Sequence, residues 1–196
     1  MARMSDHDQL KAMLLGLSVR QGDFTLVSGQ KSKWYVDAKL TTCRARAIPL
    51  VARLFLKKMA ERGWAPKAVG GLTMGADPIA LGIARESIEQ GLEIDAFVIR
   101  KETKQHGMKR FLEGMENVAG TPVVILDDVC STGGSTVMAI ERARESGLEV
   151  LGAICLVDRE MGAEETIQNK LKCPFDRIFR LSELIRPTES IAERTS

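Results

Sequence analysis

Aromatic residues are scarce: two tryptophans, one tyrosine and six phenylalanines make up 5% of the 196 residues. That leaves little material for a surface that stacks successive nucleic-acid bases. Charge of one sign is also lacking. The formal net charge is +2, so no global field draws the chain to nucleic acid, although a local basic site remains open. Cysteines number four, at Cys43, Cys130, Cys155 and Cys173. None is spaced as CxxC and no histidine lies near them, which excludes the usual zinc patterns and fits scattered buried thiols in a reducing cytosol. Residues 1–9 contain no apolar stretch of a secretory signal. No apolar run approaches the roughly 20 residues of a membrane helix. The expectation is a cytoplasmic enzyme or binding protein, with no membrane and no nucleic acid among its partners.

The chain does have the ordinary balance of a globular protein, 44% hydrophobic and 28% charged, and a length suited to one sizeable core with a small appendage. Leu10, Met13, Leu14 and Leu17 recur at helical spacing over 8–19, with Ser5 or Asp6 as cap. Two short strands, 24–27 and 34–38, flank a turn at 28–32 and form a hood. From Arg46 the apolar stripe Ile48, Val51, Leu54, Phe55 and Met59 predicts a helix that stops near Gly63. Strands are then expected at 68–72, 94–99, 122–126, 150–157 and 177–181. Helices are expected from Asp77-Pro78 to about residue 90, with Asp77 as cap, and over 134–146 and 163–171. This alternation is an α/β fold, a mostly parallel sheet flanked by helices. The expected organisation is an N-terminal helix and hood hairpin over 1–45, an α/β core over 46–185 and a frayed polar tail over 186–196. Ligands of such sheets bind beyond the carboxyl ends of the strands.

One of those ends reads Val123-Val124-Ile125-Leu126-Asp127-Asp128-Val129-Cys130-Ser131-Thr132-Gly133-Gly134-Ser135-Thr136. Gly133 and Gly134 permit a sharp turn and close backbone approach. Amides of the turn and of the helix start make a phosphate cradle. Ser131, Thr132, Ser135 and Thr136 add hydroxyl donors. Asp127 and Asp128 repel phosphate and therefore face something else: two neighbouring hydroxyls, such as a ribose diol, or positive charge growing on a sugar carbon. A plain strand-to-helix loop does not explain the whole combination. Neither GxxxxGK[ST] nor GxGxxG occurs, so the two common nucleotide loops are excluded.

The segment resembles the signature of type I phosphoribosyltransferases, which bind 5-phosphoribosyl-1-diphosphate (PRPP). The resemblance implies that Asp127 and Asp128 meet the ribose hydroxyls. Val129, Cys130, Ser131, Thr132, Gly133, Gly134 and Ser135 complete the PRPP site around the 5-phosphate.

A second strand end continues as Arg100-Lys101-Glu102-Thr103-Lys104-Gln105-His106-Gly107-Met108-Lys109-Arg110. Five basic side chains with glycine in a loop of this length suit a mobile lid over an anion, with pyrophosphate the natural target. Charge grows on that leaving group as its bond to ribose breaks, so Lys104 would bind the transition state better than the ground state. His106 offers a hydrogen bond or a proton. The segment is similar to the catalytic loop of orotate phosphoribosyltransferases, Arg-Lys-Glu-x-Lys-x-His-Gly. Arg100, Lys101, Glu102, Lys104, His106 and Gly107 match every fixed position.

This resemblance extends from about Gly22 to Leu181 and implies the rest of the assignment. Arg100, Lys101, Lys104 and His106 handle the diphosphate, with Lys104, His106, Asp127 and Asp128 as the catalytic set. Tyr35 in the hood hairpin, Ser131 and Arg159 contact orotate; a guanidinium at a strand end grips a carboxylate in bidentate fashion. Magnesium is the implied cofactor, held mainly by substrate oxygens with no dedicated protein cage. A homodimer is implied, its loop 101–115 reaching the neighbouring active site. The product is orotidine 5'-monophosphate with pyrophosphate, a step of pyrimidine biosynthesis. Two departures stand out. Met74-Gly75 and Val27 occupy positions where some members have lysine, and the amides of Gly75 and Ala76 are the expected substitutes for diphosphate contact. Two alternatives stay open: the same chemistry on another base, and a PRPP-binding regulatory protein without turnover.

Overall fold

A computed structural model describes residues 4–25, 29, 31–102 and 111–185. The first helix, α1 (Asp6–Leu17), starts two residues before the expected 8–19 because Ser5 caps it, accepting from the Asp8 N–H at 3.1 Å. It also ends earlier. Val19 is already in a strand, paired with Val36. The hood is that hairpin, β1 (Val19–Thr25) against β2 (Lys31–Val36), with a bulge between Gln21 and Phe24. Its turn falls largely outside the described residues, as does the expected tail over 186–196. A short helix, α2 (Lys39–Thr42), then leads to α3 (Ile48–Glu61).

The core is a six-stranded sheet in the order β5-β4-β3-β6-β7-β8. Its members are β3 (Ala68–Leu72), β4 (Asp95–Ile99), β5 (Leu112–Glu113), β6 (Pro122–Cys130), β7 (Glu149–Asp158) and β8 (Phe175–Arg180). All neighbours run parallel except the edge pair β4–β5. The helices α4 (Asp77–Glu89), α5 (Gly134–Glu145) and α6 (Ala163–Leu171) connect the strands, and α7 (Leu181–Ile185) follows the last one. Asp77 is not the cap expected of it. Ala76 holds that place without a side-chain bond, and Asp77, first in the helix, accepts from the Thr73 hydroxyl at 2.7 Å.

Strand alternation sorts the apolar residues into two cores. Val69, Val124 and Leu126 face α1, α3, α4 and α7. Ala68, Val123 and Ile125 face α5 and α6. Both sheet faces are covered, which is why the central strands read as unbroken apolar runs. The N-terminal helix belongs to the first core through the fully buried Leu10 and Leu14. Leu14→Ala is therefore expected to lower unfolding stability by about 2–5 kcal/mol, measured by chemical denaturation.

Candidate active site

The strands β3 and β6 are neighbours only as far as Leu126, which pairs with Gly71. Beyond it β6 continues with β7 alone, pairing Asp127 with Cys155 and Cys130 with Asp158. The two acids therefore lie inside a longer strand, not after its end at residue 126. They stand where the sheet opens at a change of strand order, the place an open α/β sheet offers a ligand. Each acid is only 8% exposed, so each needs a partner.

Successive strand residues point to opposite faces, and the acids find different partners. Asp127 turns toward α5 and its Oδ2 accepts from the Thr136 hydroxyl at 2.7 Å. Thr136 was expected to serve phosphate; it is 1% exposed and spends its one O–H on Asp127. The Cys130 thiol, 3.2 Å from the same oxygen, is then the donor to it. Asp128 turns the other way. Its Oδ1 accepts from the Val129 N–H at 2.9 Å, and its Oδ2 lies 3.5 Å from Lys39 Nζ. Gly75 presses on this carboxylate so closely that a Cβ there would stand 2.4 Å from Oδ1.

Two cavities meet at Asp127. One, about 450 Å³, is lined by Thr25, Tyr35, Asp127, Arg159 and the turn from Val129 to Ser135. The turn is possible because Gly133 adopts φ +88° as it enters α5, a conformation costly for any residue with a Cβ. Arg159 is held above the turn. Its N–H donates to Cys130 O at 2.8 Å, and Nη2 donates to Ser32 Oγ and Trp34 O at 3.0 and 2.8 Å. Its buried Nε has no hydrogen-bond partner among the described residues, and burial lowers its pKa. Tyr35 stacks obliquely on Phe24, ring centroids 5.3 Å apart. The sequence-predicted set Tyr35, Asp127, Ser131, Gly134, Ser135 and Arg159 thus comes together in one space.

The second cavity, about 210 Å³, is lined by Thr73, Met74, Gly75, Asp127 and Asp128 with Lys39 and Lys101. Lys101 borders this cavity, and Leu112–Glu113 pairs with the edge of β4. Arg100 lines neither cavity. Its guanidinium lies 3.4 Å from Glu113, its N–H donates to Phe111 O, and Arg142 donates to its carbonyl while lying over the Phe111 ring. Lys104 and His106 lie outside the described residues. The Ala76 N–H, expected to reach diphosphate, points to Leu72 O at 3.4 Å.

Lys39 is the site residue that the sequence reading missed. The only local signal was its place two residues after Asp37, whose Oδ1 it meets at 3.0 Å. Burial opposes its charge, but Asp37 and Asp128 outweigh that and hold its pKa above the ordinary lysine value. Of the cysteines, Cys130, Cys155 and Cys173 are buried as expected and Cys43 is exposed. Burial, then Cys130, pushes the Cys155 thiol well up, so it is not a nucleophile.

Burial pushes the pKa of Asp127 up to about 7; the Thr136 bond opposes the shift and the Asp128 charge adds to it. Between the ordinary carboxylate value of about 4 and about 7, the folded chain keeps a proton that the unfolded chain has lost. Stability contributed by this group is thus present at low pH, falls as pH rises through that window, and is level above it. Asp127→Asn keeps an acceptor for Thr136 and removes the titration. Its stability relative to wild type is expected to rise by on the order of 3 kcal/mol from pH 4 to pH 8, measured by denaturation across that range. A flat difference would contradict the assignment.

The phosphoribosyl transferase domain family matches residues 44–179. An orotate phosphoribosyltransferase of Corynebacterium glutamicum is 40% identical over 176 residues, spanning 90% of this chain and 92% of that protein. One from Aquifex aeolicus is 41% identical over 185 residues, 93% and 99% of the two chains. Among solved structures, Mycobacterium tuberculosis orotate phosphoribosyltransferase in complex with PRPP superposes with a TM-score of 0.76 at 35% identity, covering 91% of this chain and 98% of that one. The same enzyme in complex with Fe(III) dicitrate gives 0.80 at 38%, covering 92% and 99%. The sheet that opens around Asp127 and Asp128 is therefore that of a known group, and this chain belongs to the orotate phosphoribosyltransferases of the phosphoribosyl transferase domain family.

Proposed function

We infer that the protein transfers the 5-phosphoribosyl group of PRPP to orotate, giving orotidine 5'-monophosphate and pyrophosphate. The observation that carries this is the meeting of two cavities at one pair of buried acids. A glycine turn with amide and hydroxyl donors lies on one side of the pair, with a half-satisfied arginine above the turn, and two lysines lie on the other.

The 5-phosphate belongs in the turn of Ser131, Thr132, Gly133, Gly134 and Ser135. The ribose lies over Asp127 and Asp128, whose carboxyl oxygens suit its two hydroxyls. Orotate belongs between Tyr35 and Arg159, which line the same cavity, where the guanidinium suits a carboxylate or carbonyl oxygen. A ring nitrogen of orotate attacks C1 of the ribose, and its N–H proton passes to solvent or to the departing pyrophosphate. The bond from C1 to the diphosphate oxygen breaks, and its electron pair leaves with pyrophosphate. Positive charge on the ribose in the transition state faces the acids, and negative charge on the leaving group faces Lys101 and the loop residues Lys104 and His106.

The active chain carries a divalent metal ion, and we propose magnesium. Among the described residues no cluster of three or more His, Cys, Asp or Glu is placed to hold a cation. Asp127 and Asp128 both border the 210 Å³ cavity, and an ion there would take its ligands mainly from substrate oxygens and water. Bound there, magnesium would neutralise diphosphate charge.

A homodimer belongs to this reading. It is supported by the face of α4 that leaves Leu81 65% and Ile88 58% exposed. The free thiols suit a cytoplasmic location. No helix among the described residues is long and apolar enough to cross a membrane.

A substrate panel tests the function directly. With PRPP and magnesium, orotate is expected to turn over, and uracil and adenine at less than about a hundredth of its kcat/KM; the reverse order would refute the choice of base. Arg159→Met is expected to raise the KM for orotate by about 10- to 100-fold and leave the KM for PRPP nearly unchanged. Lys104→Ala is expected to cut kcat by about 100-fold or more while PRPP binding, followed by calorimetry, stays within a modest factor. Binding without turnover in the wild-type chain would favour a sensor.

A further inference from the structure

Lys39 reaches the site from the short helix α2, not from any strand-end loop. The helix is fixed to the rest of the chain: the Ser18 and Thr41 hydroxyls bond at 2.6 Å in the interior, and the Asp37 N–H donates to Ser18 O. From this base the Lys39 ammonium meets Asp37 Oδ1 at 3.0 Å and lies 3.5 Å from Asp128 Oδ2. The second contact is at the limit of a hydrogen bond. An ammonium has three donors, and Asp37 takes one at close range. The side chain is 43% exposed and borders the 210 Å³ cavity with Thr73, Gly75 and Lys101.

That cavity lies across Asp127 from the turn that suits a 5-phosphate. A ribose seated over the acids with its 5-phosphate in the turn puts its other substituent, the 1-diphosphate, on this far side. The far side is otherwise hostile to an anion, because Asp127 and Asp128 both line it. The loop after β3 brings Thr73, Met74 and Gly75 but no cation. Among the described lining residues the positive charges are Lys39 and Lys101.

We propose that Lys39 is a substrate-binding residue that grips the 1-diphosphate of PRPP. It keeps Asp37, exchanges Asp128 for a diphosphate oxygen, and so releases the Asp128 carboxylate to the ribose hydroxyls as the substrate enters. The proposal rests on the function inferred above and assigns one contact within it.

The experiment compares Lys39→Met, Lys39→Gln and Lys39→Arg with wild type, titrating each by calorimetry with magnesium pyrophosphate and, separately, with ribose 5-phosphate. Met and Gln are expected to weaken pyrophosphate by about 10- to 100-fold and to raise the KM for PRPP in step. Ribose 5-phosphate affinity and the KM for orotate should stay within about twofold, and Arg should recover most of the loss. Thermal melting selects the variants that fold, and Gln carries the comparison where Met does not. Unchanged pyrophosphate affinity overturns the proposal. So does an equal loss for both ligands, which would mean that Lys39 only steadies Asp128. A wild-type chain that binds pyrophosphate through Lys39 but never turns over orotate would refute the function and leave this contact standing. Turnover with pyrophosphate binding indifferent to Lys39 would do the reverse.

Discussion

The carboxylates of Asp127 and Asp128 leave one strand in opposite directions at a depth where neither is well hydrated, and the surrounding structure answers that constraint. A buried acid without a donor is expensive. Each neighbouring element supplies one: α5 brings Thr136 to Asp127, α2 brings Lys39 toward Asp128, and the strand itself turns the Val129 amide onto Asp128. Thr136 and Lys39 come from opposite faces of the sheet because alternation of side chains along β6 leaves no other arrangement.

The same constraint couples the hood to the core. Arg159, one residue past the end of β7, is bonded through its guanidinium to Ser32 and the Trp34 carbonyl, both in β2. Lys39, just beyond the hairpin, lies against Asp128. A hairpin of two strands is marginal alone; here the Arg159 guanidinium ties it to the site it covers. At the other edge of the sheet, Arg100 and Arg142 pack together against Phe111, and Lys101 borders the second cavity.

The long regular elements were legible from residue types. Apolar periodicity located α3, and β3 and α6 were matched to the residue. The glycine-hydroxyl turn and the paired acids were legible because each residue type there has a narrow chemical use. The elements α2, β5 and α7 were not, being four, two and five residues long. Segments that short have no period to read and form only because a neighbour pairs or covers them.

The sequence by itself determined which chemistry is present: an anion-binding turn, two adjacent acids, a basic loop and an arginine at a strand end, all written in contiguous residues. Only the tertiary structure decided what each group faces. Thr136 reads as a phosphate donor in the chain and serves Asp127 in the fold. Arg100 reads as a diphosphate contact, and the fold adds Glu113 at 3.4 Å as its neighbour. Beyond the nearby Asp37, Lys39 carries no signal of its role in the chain and meets an acid 89 residues away. Residue type and local spacing are encoded along the chain, whereas the partner of a long side chain depends on which distant backbone the packed sheet brings within a few ångströms of its tip.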